Sequence, residues 1–191
     1  EGPLVVMLHG FPDYWYSWRH QIPALAENYT VVAMDLRSFN RSGQPVGLEH
    51  HMIEHFVGDV RAVIEHMGHE QATIVGHDLG GTIAWWFAML EPDMTERLVV
   101  LNMPHPNGFV RELATNPEQI ANSQYARDFA RDPEGWAERF TPEGRASFYA
   151  SEFQPRYIEA FKRSNFLGMI YLYLDVYPQE PYVPYDVSDK T

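Results

Sequence analysis

A carboxylate stands at the centre of a glycine-rich segment, Gly-His-Asp-Leu-Gly-Gly, at residues 76–81. The segment follows directly on the apolar run 72–75, and a helical pattern comes after it. This order predicts a buried strand that turns sharply into a helix, because small residues let the backbone turn so tightly. We therefore expect Asp78 at the tip of the turn, where backbone amides and the helix dipole hold its carboxylate anionic.

An aspartate in that position is a nucleophile without further activation. A hydroxyl nucleophile needs a base, whereas an aspartate is already ionised at neutral pH. A carboxylate that attacks carbon forms an ester with the substrate, so the expected target is an alkyl electrophile such as an epoxide or an alkyl halide. The alternative is that Asp78 only caps the following helix, since aspartate is a preferred N-cap residue. The three glycines of the segment favour the strained turn.

A second turn, His9-Gly10-Phe11-Pro12, follows the first predicted strand. Alone it is typical of a simple glycine turn, and it gains a role only in combination with Asp78. The backbone N–H groups of Phe11 and Leu79 are then candidates for an oxyanion hole in ester hydrolysis. Four residues of the two turns are predicted to support the site: His9, Gly10, Pro12 and His77.

The elements that must position these residues are four short apolar runs alternating with helical patterns. The predicted strands cover 4–8, 30–34, 72–75 and 98–102, and the predicted helices between them cover 15–27, 49–67 and 82–90. Continuously apolar strands separated by helices indicate a mostly parallel α/β sheet with helices on both faces. Functional residues in such sheets lie beyond the carboxyl ends of the strands, where both turns fall.

The pattern changes after about residue 103. We expect residues 1–103 to form part of an α/β core. Residues 104–191, aromatic-rich and interrupted by prolines, are expected to form a helical lid over the active edge of the sheet.

Composition limits the remaining classes of function. The 191 residues carry a net charge of −12, which argues against nucleic acid or an anionic membrane as partner. There is no cysteine and no apolar stretch of about 20 residues that would span a membrane. No signal peptide is visible, so a cytoplasmic location is expected. No cofactor is predicted, and the oligomeric state is not predicted.

The segment His51-Met52-Ile53-Glu54-His55 raises a rival hypothesis, a zinc enzyme. Two imidazoles four residues apart on a helix can share a metal, with the glutamate as base. However, the sequence supplies no third ligand, and the predicted helix is needed to cover the sheet. We therefore predict a solvated helix face here and no metal site.

Together, the turns at 9–12 and 76–81, the Asp-Leu-Arg segment 35–37 and the Asn-Met-Pro-His-Pro segment 102–106 resemble the α/β-hydrolase superfamily. More narrowly, they resemble its epoxide hydrolase branch. The resemblance implies an eight-stranded sheet with a helical cap inserted after the sixth strand. By that pattern the chain is a fragment that carries strands three to six and most of the cap. Ser38 and Asn40 stand where the family often has glycine.

The resemblance also implies two cap tyrosines that polarise the epoxide oxygen as it becomes an alkoxide. Tyr125 matches the first of them. Tyr173 matches the second, with Tyr171 as an alternate, because Tyr171 occupies a position where the family often has asparagine. A phenol with a pKa near ~10 can donate a hydrogen bond to an alkoxide without being ionised at pH 7. Either tyrosine could instead only pack in the aromatic lid.

Haloalkane dehalogenases share the aspartate nucleophile and are the alternative activity. They hold the leaving halide with side-chain donors at positions where this chain has Phe11 and Leu79, which have none. The resemblance therefore favours hydrolysis of a small apolar epoxide by water to a vicinal diol.

The family's catalytic histidine and its orienting acid follow later strands that this chain does not carry. Neither His77 nor His105 is placed to act as the base. The chain alone is therefore expected to be alkylated at Asp78 without turning over. A truncated, non-catalytic binding module is the third possibility.

Overall fold

Four parallel strands form the sheet of the computed structural model, which describes residues 2–186. They are β1 (Leu4–Leu8), β2 (Thr30–Met34), β3 (Ala72–His77) and β4 (Thr95–Leu101), in the spatial order β2-β1-β3-β4. Every residue of β1 is buried, as its unbroken apolar sequence requires of a central strand. The prediction of a parallel sheet is confirmed, and β4 begins three residues earlier than the sequence pattern indicated.

Alternate side chains of β1 pack against different layers. Val6 and its neighbours on one face contact α2 (Ile53–His66) and α3 (Leu79–Leu90), which form the main hydrophobic core. Val5 and Met7 on the other face contact Trp18 and the short helix α1 (Gln21–Leu25). Helices therefore cover both faces, as predicted.

The prediction of one helix over 15–27 is wrong. The chain forms a 3₁₀ turn at Trp15–Trp18 and then α1, a separate helix of five residues. Pro23 gives the physical reason, because a proline ring clashes with the carbonyl four residues earlier and supplies no N–H. A helix that begins at Gln21 tolerates Pro23 in its first turn, whereas a helix that continues from Trp15 does not.

The prediction of a helix over 49–67 is also wrong at its start. A 3₁₀ turn covers Leu48–His50, and α2 begins only at Ile53. Between them Met52 is extended, with φ −70° and ψ 151°, and His51 is fully buried. The chain turns here so that the His51 side chain enters the interior.

Seven helices follow β4 in the part of the chain that the structure describes. They are α4 (Pro106–Thr115), α5 (Pro117–Asn122), α6 (Gln124–Arg131), α7 (Pro133–Arg139), α8 (Pro142–Ala146), α9 (Gln154–Lys162) and α10 (Phe166–Val176). Most of the prolines that interrupt the sequence pattern begin helices, where a missing N–H costs no hydrogen bond. Glu1 and residues 187–191 of the predicted core and lid lie outside the described residues.

Helix α10 returns from this helical region to the sheet. The amide of Asn165 donates to the carbonyl of Ser38 at 2.9 Å, and the carboxylate of Asp175 accepts from the amide of Ile53 at 2.6 Å. These contacts fix both ends of α10 on the core, and α10 carries Tyr173. Within residues 2–186, no helix is both long enough and apolar enough to cross a lipid bilayer.

Candidate active site

Asp78 lies between the end of β3 and the start of α3, in a strained backbone conformation with φ 55° and ψ −123°. Glycines make the turn possible because other chain segments pass very close to them. A Cβ atom on Gly76 would lie 2.2 Å from the carbonyl oxygen of Gly80, and one on Gly80 would lie 2.3 Å from that of Leu8. The turn is therefore held by its surroundings in a conformation that L side chains rarely adopt, as is common at functional sites.

The turn at 9–12 brings a backbone donor to this carboxylate. The amide N–H of Phe11 donates to Oδ1 of Asp78 at 2.9 Å. Gly10 permits the approach, because a Cβ there would lie 2.4 Å from Cβ of Asp78. Leu79 is the first residue of α3, so its N–H has no partner within the helix. The amide of Phe11 thus contacts the carboxylate, and the amide of Leu79 follows Asp78 directly at the start of α3.

His9 fixes the loop that carries Phe11. Its imidazole is fully buried, with Nε2 accepting from the amide of Leu36 at 3.0 Å and Nδ1 2.9 Å from the carbonyl of Gly10. Burial lowers the pKa of His9 to about 4, so the ring is neutral at pH 7. His9 is therefore a structural link between two loops, whereas His77 lies exposed at the end of β3.

The structure brings Tyr125 of α6 and Tyr173 of α10 together beside Asp78. Their ring centroids are 6.0 Å apart, and both rings line the same cleft as Asp78. Burial raises the pKa of each phenol, well above the usual value for Tyr173, and the charge of Asp78 raises both further. Both hydroxyls therefore stay protonated at neutral pH and can donate hydrogen bonds.

Tyr171, the alternate to Tyr173, lies elsewhere. Its ring packs against the imidazole of His51, with centroids 5.3 Å apart, and it does not line the cleft. Residues two positions apart on a helix point in different directions, so Tyr173 faces the cleft, whereas Tyr171 faces His51 and is partly exposed.

The cleft has a volume of about 500 Å³ and mostly aromatic walls. Its lining residues besides Asp78 and the two tyrosines are Phe11, Pro12, Phe129, Trp136, Phe140, Arg145, Phe148 and Tyr149. Such walls suit an apolar ligand that a few polar groups orient.

Asp13 is a second carboxyl group near the site that the sequence did not reveal. Its Oδ1 accepts from the amide of Tyr14 at 2.8 Å, and its carboxyl also interacts with the hydroxyl of Tyr157 on α9. Burial raises the pKa of Asp13 to about 6. The sequence shows only that an acidic residue comes directly after the turn at 9–12. The burial of Asp13 depends on α9, which lies more than 140 residues later in the chain.

The two histidines of the segment 51–55 do not share a helix face in the structure. His51 lies before α2, with Nδ1 2.8 Å from the carbonyl of Gly47 and Nε2 2.7 Å from the hydroxyl of Ser38. His55 lies on α2, with Nε2 3.0 Å from the carbonyl of Glu49. Residues 2–186 contain no group of three or more histidine, aspartate or glutamate side chains that could hold a metal ion. The expectation of a solvated face is wrong for His51, which is buried.

His105 also has a structural position. Its Nδ1 accepts from the amide of Asn107 at 3.1 Å and so caps α4, and its ring packs against Trp85 with centroids 5.0 Å apart. It does not line the cleft that contains Asp78.

Residues 3–166 match the model of the α/β hydrolase fold family. Epoxide hydrolase B of Mycobacterium tuberculosis is 48% identical over 118 residues, which are 61% of this chain and 33% of that protein. Human epoxide hydrolase 4 is 37% identical over 123 residues, which are 64% of this chain and 34% of that protein. The chain therefore spans about a third of the length of these curated relatives.

A solved structure of Bacillus megaterium epoxide hydrolase in complex with an inhibitor superposes with a TM-score of 0.84. It is 33% identical, and the match covers 95% of this chain and 69% of that one. These similarities indicate the same fold as the strand order and the turn around Asp78. The chain belongs to the α/β-hydrolase fold family, in its epoxide hydrolase branch.

Proposed function

We propose that the protein opens epoxides to vicinal diols through a covalent ester on Asp78. One observation carries the proposal: the carboxylate of Asp78 and two neutral tyrosines line one apolar cleft. Attack on an epoxide carbon needs a nucleophile on one side and a proton donor for the departing oxygen on the other.

In the first step, a carboxylate oxygen of Asp78 attacks an epoxide carbon and the bond from that carbon to the epoxide oxygen breaks. The oxygen leaves as an alkoxide, which Tyr125 and Tyr173 stabilise by hydrogen bonds; one of the two phenols gives it a proton, and the phenolate left behind regains a proton from water. The product is a hydroxyalkyl ester. The raised pKa of both phenols supports this role, because it keeps the protons in place before the ring opens.

In the second step, water attacks the carbonyl carbon of the ester, and the amides of Phe11 and Leu79 stabilise the oxyanion. Departure of the diol restores the Asp78 carboxylate. The water needs a base, and no histidine lines the cleft in residues 2–186. We therefore propose that residues 1–191 alone complete the alkylation of Asp78 and stop at the ester. The partners of the complete reaction are an epoxide and water.

We further propose that residues 1–103 act as the core that holds the nucleophile and 104–191 as the cap that holds the proton donors. The positions of Asp78 on β3–α3 and of the tyrosines on α6 and α10 support this division.

Haloalkane dehalogenation is the alternative with the same nucleophile. It would require donors for a halide ion, but the side chain of Phe11 packs edge-on against the ring of Tyr173 at 5.7 Å and offers none. To distinguish the two activities, the protein is incubated with 1,2-epoxyhexane and, separately, with 1-bromohexane, and its intact mass is measured by mass spectrometry. We expect one molecule of the epoxide to attach to each protein molecule, and the bromide to react far more slowly. Faster labelling by the bromide would contradict epoxide opening, and labelling by neither would favour a non-catalytic binding module.

A further inference from the structure

The turn that carries Phe11 is held from two sides. On the side of the sheet, His9 fixes its start by accepting a hydrogen bond from the loop after β2. On the side of the helical region, the hydroxyl of Tyr149 donates to the carbonyl of Pro12 at 3.2 Å, across 137 positions of the chain. Tyr149 lies in the segment between α8 and α9 and also lines the cleft. Its hydroxyl therefore links the helical region directly to this turn.

The ring of Tyr149 has a fixed position. It stacks on the ring of Tyr157 of α9, with centroids 3.5 Å apart and ring planes 12° from parallel. Tyr157 belongs to a buried hydrophobic cluster that also contains Tyr14, Ala146 and Phe161. Burial raises the pKa of Tyr149, so its hydroxyl keeps its proton at neutral pH and can donate. The stacking therefore holds a hydrogen-bond donor at one point over the turn.

Pro12 belongs to the same tight turn as Phe11. The amide of Asp13 donates to the carbonyl of Gly10 at 2.9 Å, which closes the turn. The amide of Phe11, within this turn, donates to the carboxylate of Asp78 at 2.9 Å. Because the turn is closed, a displacement of the Pro12 carbonyl also displaces the Phe11 amide. The contact with the helical region therefore acts on the geometry at the nucleophile.

We propose that Tyr149 is a positioning residue: its hydrogen bond to Pro12 keeps the Phe11 amide directed at the nucleophile. This inference rests on the proposed function, in which that amide stabilises the oxyanion when the ester is cleaved. A donor in this role must lie within about 3 Å of the oxygen that becomes negative. A turn held from both sides keeps the donor at that distance before the reaction begins.

The chemical shift of the Phe11 amide proton, measured by NMR spectroscopy, tests the position of the turn without any substrate. Tyr149→Phe removes the hydroxyl but keeps the ring and its stacking. We expect an upfield shift of the Phe11 amide proton, because its hydrogen bond to the carboxylate lengthens. Tyr16→Phe is the matched control, since Tyr16 packs in the same cluster through its ring and does not line the cleft. It should leave the Phe11 signal unchanged.

Hydroxylamine measures the consequence for ester cleavage, because it replaces water and needs no histidine base. Its nitrogen attacks the carbonyl carbon of the Asp78 ester, and the bond from that carbon to the ester oxygen breaks. The ester oxygen leaves with the diol and takes a proton from the nitrogen, so Asp78 becomes a hydroxamate. The reaction passes through an oxyanion at the same place as hydrolysis does.

Cleavage by hydroxylamine should be about tenfold slower in Tyr149→Phe, whereas ester formation with 1,2-epoxyhexane should change by less than about twofold. The two steps differ because ring opening depends on the Asp78 turn and the tyrosines of α6 and α10. Tyr16→Phe should leave both rates unchanged. After denaturation in urea, the esters of all three proteins should be cleaved at equal rates. Equal cleavage of the folded Tyr149→Phe and unaltered proteins would overturn the inference, as would an equal slowing of both steps.

The two measurements separate this inference from the proposed function. If the Phe11 signal moves in Tyr149→Phe while no epoxide labels the protein, the positioning of the turn stands and epoxide opening fails. If the Phe11 signal is the same in Tyr149→Phe and in the unaltered protein, the positioning role is wrong even where epoxides do label Asp78.

Discussion

The amide of Phe11 lies 2.9 Å from the carboxylate of Asp78, although the two residues are 67 positions apart in the chain. The sheet explains their meeting. Strands β1 and β3 are parallel neighbours with Leu8 paired to Gly76, so the turns that follow them leave the same edge side by side. Strand pairing thus brings the carboxylate of Asp78 and the amide of Phe11 together.

The closeness of these two turns leads to the first prediction, for Gly10→Ala. The new methyl group would lie 2.4 Å from Cβ of Asp78, so one of the two turns must move. We expect ester formation with 1,2-epoxyhexane to slow by about a hundredfold, because small misplacements at a reacting centre have effects of that size.

Gly58→Ala is the matched control, since Gly58 lies within α2 with no atom near the added Cβ. It should leave the rate unchanged and stabilise the fold by about 0.5–1 kcal/mol. A Gly10→Ala protein that reacts at the original rate would show that the two turns tolerate separation.

The second prediction concerns the cap tyrosines. Tyr125→Phe and Tyr173→Phe should each lower the rate of ester formation by about a hundredfold, because each removes one donor to the developing alkoxide. Tyr171→Phe should have almost no effect, since its ring faces His51 and not the cleft. Pre-steady-state labelling followed by mass spectrometry measures all three. Slow ester formation in the Tyr171→Phe variant, together with an unchanged rate in the Tyr173→Phe variant, would mean that Tyr171 and not Tyr173 is the donor.

The third prediction is a pH dependence caused by Asp13, whose pKa burial raises from its ordinary 3.8 to about 6. Between these values the unfolded chain has lost the proton and the folded protein still holds it. The folded state therefore loses stability as the pH rises from 3.8 to about 6, and the penalty stays constant above that.

Asp13→Asn removes this titration. At pH 7.5 the variant should be more stable than the unaltered protein by on the order of 1–2 kcal/mol. The gain is no larger because the site is only partly shielded from water. Near pH 3.5 the two proteins should be equally stable. Urea denaturation across that pH range measures the difference. Lower stability of the Asp13→Asn variant at pH 7.5 would mean that the ionised carboxylate is favourable in the fold.

The fourth prediction concerns Ser38, whose φ of 72° is unusual for a residue other than glycine. Its hydroxyl lies 2.7 Å from Nε2 of the buried His51. Ser38→Ala keeps the strained backbone and leaves Nε2 of His51 without a hydrogen-bond donor. We expect it to lower the free energy of unfolding by about 1–3 kcal/mol. Ser38→Gly loses the same hydrogen bond but relieves the backbone, so it should be about 1 kcal/mol more stable than Ser38→Ala. Equal urea midpoints for the two variants would contradict the role of backbone strain.

Local sequence patterns predicted the strands and the turn around Asp78 well, because both depend on neighbouring residues. Unbroken apolar runs require burial on two faces, and clustered glycines permit a tight turn. The boundaries of β1 and β2 agree with the predicted ranges. The predicted helix over 15–27 does not form as one element, because Pro23 would fall in its interior.

Properties that depend on distant contacts could not be predicted. The burial of Asp13 requires Tyr157, and the burial of His51 requires the packing of Gly168 of α10 against it. The choice between Tyr171 and Tyr173 likewise depended on how α10 is rotated about its axis.

The identity of the nucleophile is the central claim, and peptide mapping of the protein after incubation with 1,2-epoxyhexane tests it most directly. Tandem mass spectrometry should place one hydroxyalkyl ester on Asp78, and Asp78→Asn should remain unlabelled under the same conditions. An ester on another carboxylate, or equal labelling of the Asp78→Asn protein, would contradict the account.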